Sequence, residues 1–295
     1  MWFKNLTLYR LTKWEETPAS LAEKLAKRAL QSCSGLDMQR VGWVSPKVEG
    51  EPLVHQLGSQ LLVSLGIEKK LLPATVINQF TKLRAAEIEE QQGYKPGRKE
   101  MKEIKEAMVD ELLPRAFAIR SKVYAWIDPV DGWMVIDAAN LAKADEMVTQ
   151  LVKTLEGFSV SLIKTKLSPS VAMTTWLGAK EAPASFTVDQ DCELREKGES
   201  GSTVRYVKHA LELDEISKHL KAGKEVTKMA MTWNDKISFV MHENLQLKRI
   251  VPLDLIKDQA DVNSEDDSFD TDFAIMTGEL KKLIPSVVDA LGGDV

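Results

Sequence analysis

Arg205, Lys208, Lys218, Lys221, Lys224 and Lys228 fall within one run, TVRYVKHALELDEISKHLKAGKEVTK. Cations so spaced suit one chemistry, the attraction of phosphate. A lysine is a mobile point charge that neutralises a phosphate oxygen without reading a base. Arginines, which dominate base readout, are few here, so nucleic acid held this way would be bound without sequence preference and released by salt. On a regular strand Lys224, Val226 and Lys228 point to one side, because the side-chain period is two. Lys208 and His209 on a neighbouring strand could line the same surface. The competing reading is a solvated edge laced with ion pairs such as Asp214 to Lys218.

Catalytic signatures are missing. The chain has no G-x-x-x-x-G-K-[ST], no G-x-G-x-x-G after a strand, no G-x-S-x-G and no H-E-x-x-H. His55, His209, His219 and His242 are scattered, with no metal-ligand pair among them. Cys33 and Cys192 lie too far apart in sequence for a zinc knuckle or a disulfide framework and fit a reducing cytoplasm. The carboxylates of residues 258–272 lack the spacing of a calcium loop and read as a solvated acidic loop. No catalytic residue, metal site or cofactor is therefore expected. A nuclease working through the acidic loop would need a metal spacing that the loop lacks.

Charge is unevenly placed. The net charge is -5. From Asp254 onward eleven acids face three lysines, which leaves the first 253 residues net positive. A pI of 5.6 argues against a generally basic protein but leaves room for a local basic face. No apolar run approaches the roughly 18–20 residues needed to span a bilayer, so no membrane partner is expected.

The elements that must position these cations read as follows. Residues 2–11 alternate as a strand, and a helix follows over 21–30. Pro73 opens a helix to about Gln92 with Val76, Phe80, Leu83 and Ile88 as its apolar stripe. QQGYKPGRKEMK turns the chain, and a second helix runs over about 99–113 with Met101, Ile104, Met108 and Leu112 on one stripe. The tip of this helical hairpin carries Lys95, Arg98 and Lys99, a solvated arm or a basic finger. Pro114 then stops the helix, and Phe117 follows beside Arg115 as core filler or as a plug for another chain. VYAWID and WMVID pair about a hairpin turn, and a helix capped by Asn140 follows. Residues 159–202 read as loops with short strands at VAMTTWL and ASFTV. STVRYVKHALEL, EVTKMAMTW, ISFVMHE and LKRIVP read as strands around the helix DEISKHLKAG. A terminal helix from about Asp272 is interrupted near Pro285. Hairpins dominate over βαβ rhythm, so the fold class is α+β with mainly antiparallel sheets. The expected units are a central region of 1–72 and 118–160, a finger of 73–117, and a second α+β region of 161–295.

MWFKNLTLYRL, DMQRVGWVSP, LLPRAF, AWID…DGWMVIDAA, GKEVTKMAMTW and TDFAIMTGEL together resemble the RdgC family of recombination-associated proteins, in order and from the first residue to ALGG. The resemblance implies a curved α+β monomer with a protruding helical finger, closing as a ring-shaped homodimer around duplex DNA. It implies a cytoplasmic, nucleoid-associated protein without enzymatic activity. Such a protein binds double- and single-stranded DNA with little sequence preference and restrains the RecA recombinase, a role tied to recombination and replication fork repair. By the same resemblance the phenylalanine of LPRAF that closes a dimer contact falls on Phe117, next to Pro114 and Arg115. A family lysine–glutamine pair implicated in DNA binding falls on Lys208 and His209, where histidine replaces glutamine. The lysine of the family's AGK string falls on Lys224, with Lys228 beyond it. Arg205, Lys95, Arg98 and Lys99 complete the expected DNA-binding set. The alternative is a protein–protein module that contacts the recombinase through the finger and Phe117. The acidic stretch is expected away from the DNA, and Arg115 is expected to pair with Asp110 or Glu111 or to face the hole.

Overall fold

The computed structural model describes residues 1–198, 201–254, 256 and 265–295. Among the described residues the strands join in one 12-stranded sheet whose pairings are antiparallel, accompanied by seven helices. The expected α+β class with antiparallel sheets holds. In chain order the first half comprises β1 (Asn5–Leu11), α1 (Pro18–Ala26), β2 (Gln39–Val44), β3 (Val54–Leu57), β4 (Gln60–Lys70), α2 (Ala74–Gln92), α3 (Arg98–Leu112), β5 (Ala118–Asp128), β6 (Trp133–Asp137), α4 (Leu141–Thr154) and β7 (Val160–Leu162). The second half comprises α5 (Pro169–Ala179), β8 (Phe186–Glu196), β9 (Thr203–Tyr206), α6 (Leu213–Lys221), β10 (Lys224–Trp233), β11 (Ile237–His242), β12 (Leu247–Pro252) and the terminal helix α7 (Glu265–Ala290).

The spatial order is β2-β4-β5-β6-β1-β12-β11-β10-β8-β9, with β3 on β4 and β7 on β1. The first and last strands of the chain thus meet in the middle, at Asn5↔Lys248 and Leu6↔Leu247. Alternation along β1 separates two cores. Leu6 and Leu8 join Phe273, Met276 and Leu280 of α7, while Tyr9 joins Leu21 and Leu25 of α1 and Ala144, Met147 and Leu151 of α4. Each fully buried Leu, Phe or Met contributes about 1.5–3 kcal/mol relative to exposure. Beyond β1 the arrangement changes. Met229, Met231, Phe239 and Met241 face the core with α5 and α7, but Lys228, Ala230, Val240 and His242 on the reverse side are only half-buried. That reverse face of β8–β12 is open.

Several expected elements differ. α1 ends at Ala26, and residues 29–30 run on as backbone partners of Trp43. VAMTTWL is not a strand but lies in α5, where the Ser168 side chain accepts from the Val171 N–H and Pro169 sits in the first turn. Its β-branched residues suggest a strand, and the Ser-Pro cap outweighs them. Residues 265–272 of the supposed acidic loop belong to α7, while 258–264 lie outside the described residues. α7 also continues through Pro285, because Leu283, Ile284, Val287 and Val288 are anchored in the core on both sides of it.

Between β4 and β5 stand α2 and α3, packed on each other through Ala85, Ile104 and Met108. Gly93 ends α2 in the left-handed conformation that glycine adopts without strain. The buried face of α2 is Ile77, Thr81 and Ala85, so the expected stripe is misplaced: Phe80 is 41% and Leu83 55% exposed. On α2 the small Thr81 and Ala85 are buried, while Phe80 and Leu83 face solvent.

Candidate nucleic-acid interface

The open face of the second half carries one transverse row of charge. Arg205 of β9 pairs in register with Glu193 of β8, Glu193 with Lys228 of β10, and Lys228 with His242 of β11. At about 4.8 Å per strand interval the row spans roughly 14 Å. Lys248 of β12 lies alongside, paired with Val240 and, across β1, with Asn5.

Two irregularities aim these side chains. On β10 the register passes from Val226↔Leu194 to Lys228↔Glu193, so Thr227 is an extra residue. Val226 and Leu194 are fully buried, while Lys228 turns to the open face. The bulge breaks the expected alternation, and Lys224 and Lys228 lie on opposite sides of the sheet. On β12 the pairing shifts between Ser238↔Val251 and Val240↔Lys248, with Arg249 as the extra residue at φ 53. That left-handed conformation costs a residue with a Cβ about 1–2 kcal/mol. It lets the neighbours Lys248 and Arg249 line the same cleft.

Glu193 is the hub. Its carboxylate is 5% exposed and accepts from Lys228 at 2.9 Å, from the Thr227 hydroxyl at 2.9 Å, and from Arg205. Burial alone would raise this carboxyl, but the hydrogen bonds from Lys228, Thr227 and Arg205 outweigh it and hold it down at about 2. His242 responds in the opposite sense. Burial, with Lys248, Lys228 and Arg249 adding to it, pushes its pKa down to about 4, so the ring is neutral near pH 7. Burial and then Lys228 lower that of Lys248. Burial and the nearby Glu193 push the Cys192 thiol up to about 12, which marks it as an inert core residue.

These groups surround a cleft of about 390 Å³, lined by Arg205, Lys228, His242, Lys248 and Arg249 with Asp191 and Glu193. That volume holds about a dozen waters at about 30 Å³ each. Four basic side chains face two carboxylates there, so the cleft carries a net positive charge.

Of the sequence-predicted cations, the fold brings Arg205 and Lys228 into this cleft. Lys208 and His209 follow β9 at its rim, both exposed, and the Lys208 N–H donates to Asp191 at 2.7 Å. Lys224 is not part of it. Its ammonium donates to Ser202 at 2.7 Å, lies 3.9 Å from Glu196, and is on the helix-covered side. Lys95, Arg98 and Lys99 stand exposed about the turn between α2 and α3 and do not line the cleft. His242, Lys248 and Arg249 were not expected. Their signal was the Lys–Arg pair in LKRIVP, but a regular strand sends neighbours to opposite faces and so hides it.

A second surface lies at the base of α3. Leu113, Pro114 and Arg115 form a 3-10 turn, and Phe117 after it is 85% exposed. Leu71, whose N–H donates to the Phe117 carbonyl, and Ile119 are exposed beside it. Arg115 is exposed and, among the described residues, makes no ion pair; the expected pairing with Asp110 or Glu111 does not form. β6 covers β5 only from Ala125, so the backbone edge of 118–124 on that side has no strand partner among the described residues.

Among the described residues no group of three or more His, Cys, Asp and Glu could hold a metal ion, and no helix is long and apolar enough to cross a membrane. Comparison with known proteins agrees on one family. Residues 1–294 match the family model described as "Putative exonuclease, RdgC". Proteins named recombination-associated protein RdgC are similar over the whole chain. That of Janthinobacterium sp. (strain Marseille) is 55% identical, that of Herminiimonas arsenicoxydans 53%, and that of Bordetella pertussis 52%; each match covers 100% of this chain and 99% of the relative.

Proposed function

The chain belongs to the RdgC family of recombination-associated proteins, and from that premise we propose that it binds DNA, duplex or single-stranded, through the phosphate backbone and without turnover. The observation that carries this is the cationic cleft on the open face of β8–β12, with Arg205, Lys228, Lys248 and Arg249 around it. Two of its cations are lysines, mobile point charges that neutralise phosphate without reading a base, and its two arginines can each hold a phosphate with two hydrogen bonds. Lys208 and His209 extend the same surface, while Lys95, Arg98 and Lys99 would touch a longer DNA from the helix pair.

We further propose a homodimer closed as a ring, with Phe117 entering an apolar pocket of a second copy and the 3-10 turn of Pro114 and Arg115 setting its position. The exposed Phe117, Leu71 and Ile119 and the unpaired edge of β5 support self-association. Encircling would let the protein restrain RecA by occupying DNA, in the cytoplasm at the nucleoid. A protein–protein reading draws on the same apolar surface with Phe80 and Leu83, which could dock on the recombinase directly. Order-of-addition assays separate the two: inhibition by occupied DNA disappears with excess DNA, and direct docking survives it.

The DNA reading is tested by a salt titration with short duplexes of unrelated sequence. Affinity should be equal across sequences and fall about 10²–10⁴-fold between about 50 and 200 mM salt. Salt-independent binding, or strong preference for one sequence, contradicts it. Magnesium- or manganese-dependent shortening of DNA by the purified protein would overturn binding without turnover.

A further inference from the structure

The cations of the cleft are not equivalent. Arg205 and Lys228 are already engaged by Glu193, and Arg195 beside them lies 3.4 Å from Glu193 and 3.5 Å from Glu243. Lys248 is half-buried and, among the described residues, has no carboxylate within 4.0 Å. Arg249 is 78% exposed, and among the described residues its one ion pair is with Asp191 at 4.0 Å, the outer limit of such a contact. Its left-handed backbone at φ 53 is strain in a residue that gains little in return from the rest of the fold.

We propose that Lys248 and Arg249, with Lys228 and His242 behind them, form a subsite for a backbone phosphate of the bound DNA, and that Glu193 is the internal counter-ion with which this phosphate competes for Lys228. The subsite rests on the DNA-binding reading above and says where on the open face a phosphate sits. The bulge at Arg249 explains its construction, since a regular β12 would send one of the two adjacent cations into the core. Neutral His242 can donate one hydrogen bond to the anion without adding charge that must be compensated when the cleft is empty. Glu193 holds the ammonium of Lys228 in place in the free protein. An arriving phosphate adds a second acceptor, so the cleft is pre-organised and not collapsed by repulsion between Lys228 and Lys248. Asp191 plays the lesser part of retaining Arg249 at the rim.

The variants follow from the backbone. Arg249→Gly removes the charge and suits the left-handed position, so it should melt at or above the wild-type temperature. Lys248→Gln removes the charge and keeps most of the stem. The double variant is compared with wild type by fluorescence anisotropy on a short labelled duplex over a salt series. The expected result is at least a tenfold loss of affinity at low salt and a decrease of about 1.8 in the slope of log affinity against log salt, about 0.9 per lost phosphate contact. Lys224→Gln, on the opposite side of the sheet, should leave the slope unchanged. Glu193→Gln should tighten binding, because Lys228 and Arg205 lose their internal competitor. A double variant with wild-type affinity and slope, in a preparation whose wild type binds DNA with strong salt dependence, overturns the subsite and leaves the DNA reading standing. A wild type that binds no DNA at any salt removes both.

Discussion

Glu193 shows how one buried acid organises a cationic face. Four donors converge on it, from Lys228, Thr227, Arg205 and Arg195, and its burial makes each charge-assisted contact worth more than an exposed pair. Glu193→Ala should therefore cost about 2–4 kcal/mol by urea denaturation, since it takes from Lys228 and Arg205 their shared carboxylate and leaves the Thr227 hydroxyl only the backbone carbonyl of residue 193. The same residue sets acid sensitivity. Its folded pKa of about 2 lies below the unfolded value of 4.5, so its stabilisation is complete above that value and is lost as pH falls toward 2. His242 acts higher on the scale. Its folded pKa of about 4 lies below 6.5, so the unfolded chain takes up that proton first and stability falls as pH drops from 6.5 to 4. Melting temperature should therefore decline steadily below neutrality, and His242→Asn should flatten the upper part of the decline. An unchanged profile in that variant would show that other groups govern it.

Elements are placed by exceptions to periodicity as much as by periodicity itself. β1, the β5–β6 hairpin, β10 to β12, the two helices about the Gly93–Gly97 turn and the Asn140-capped helix are legible, because their signals are local: alternation, caps and Gly-Pro breaks. What is not legible is where one residue is inserted. A bulge has no composition of its own, and Thr227 and Arg249 look like ordinary strand residues. The α2 stripe is misread for a related reason. Large apolar residues normally mark the buried face, but α2 has only a thin partner in α3, and Ala85 and Thr81 fit there better than Phe80 or Leu83. Gly42 supplies an element-scale prediction. A Cβ there would meet the Leu30 Cα at 2.5 Å and the Leu30 N at 2.6 Å, in the segment that leaves α1 to pair with Trp43. Gly42→Ala should then cost about 1–3 kcal/mol, seen as a lower urea midpoint with an unchanged slope. A neutral substitution would mean that residues 29–30 peel away from β2 at little cost.

At the scale of the whole molecule the cleft and the described acids of α7 belong to different surroundings. In α7, Asp270 pairs with Lys47 and Asp272 with the amino terminus. The cationic cleft occupies the reverse face, a local concentration of positive charge in a chain whose net charge is -5. Assembly is tested at Phe117. Because its ring is 85% exposed, Phe117→Ser should leave the monomer's stability within about 0.5 kcal/mol while weakening self-association, read together by thermal melting and solution mass. Loss of fold in that variant would assign the ring to packing and not to a partner.

By itself the sequence determined the family, the α+β class and most of the elements, because strings such as GKEVTKMAMTW and local caps are written in consecutive residues. It also named Arg205 and Lys228, which the fold brings into the cleft, among its candidate cations. Tertiary structure alone decided which cations share a face. β1 meets β12 across the length of the chain, Thr227 and Arg249 reset the pleat, and Glu193 is buried between neighbours from two other strands. A surface of this kind is built across strands, perpendicular to the direction in which a sequence is read. Its members are therefore distant in sequence, and their common side depends on single-residue register.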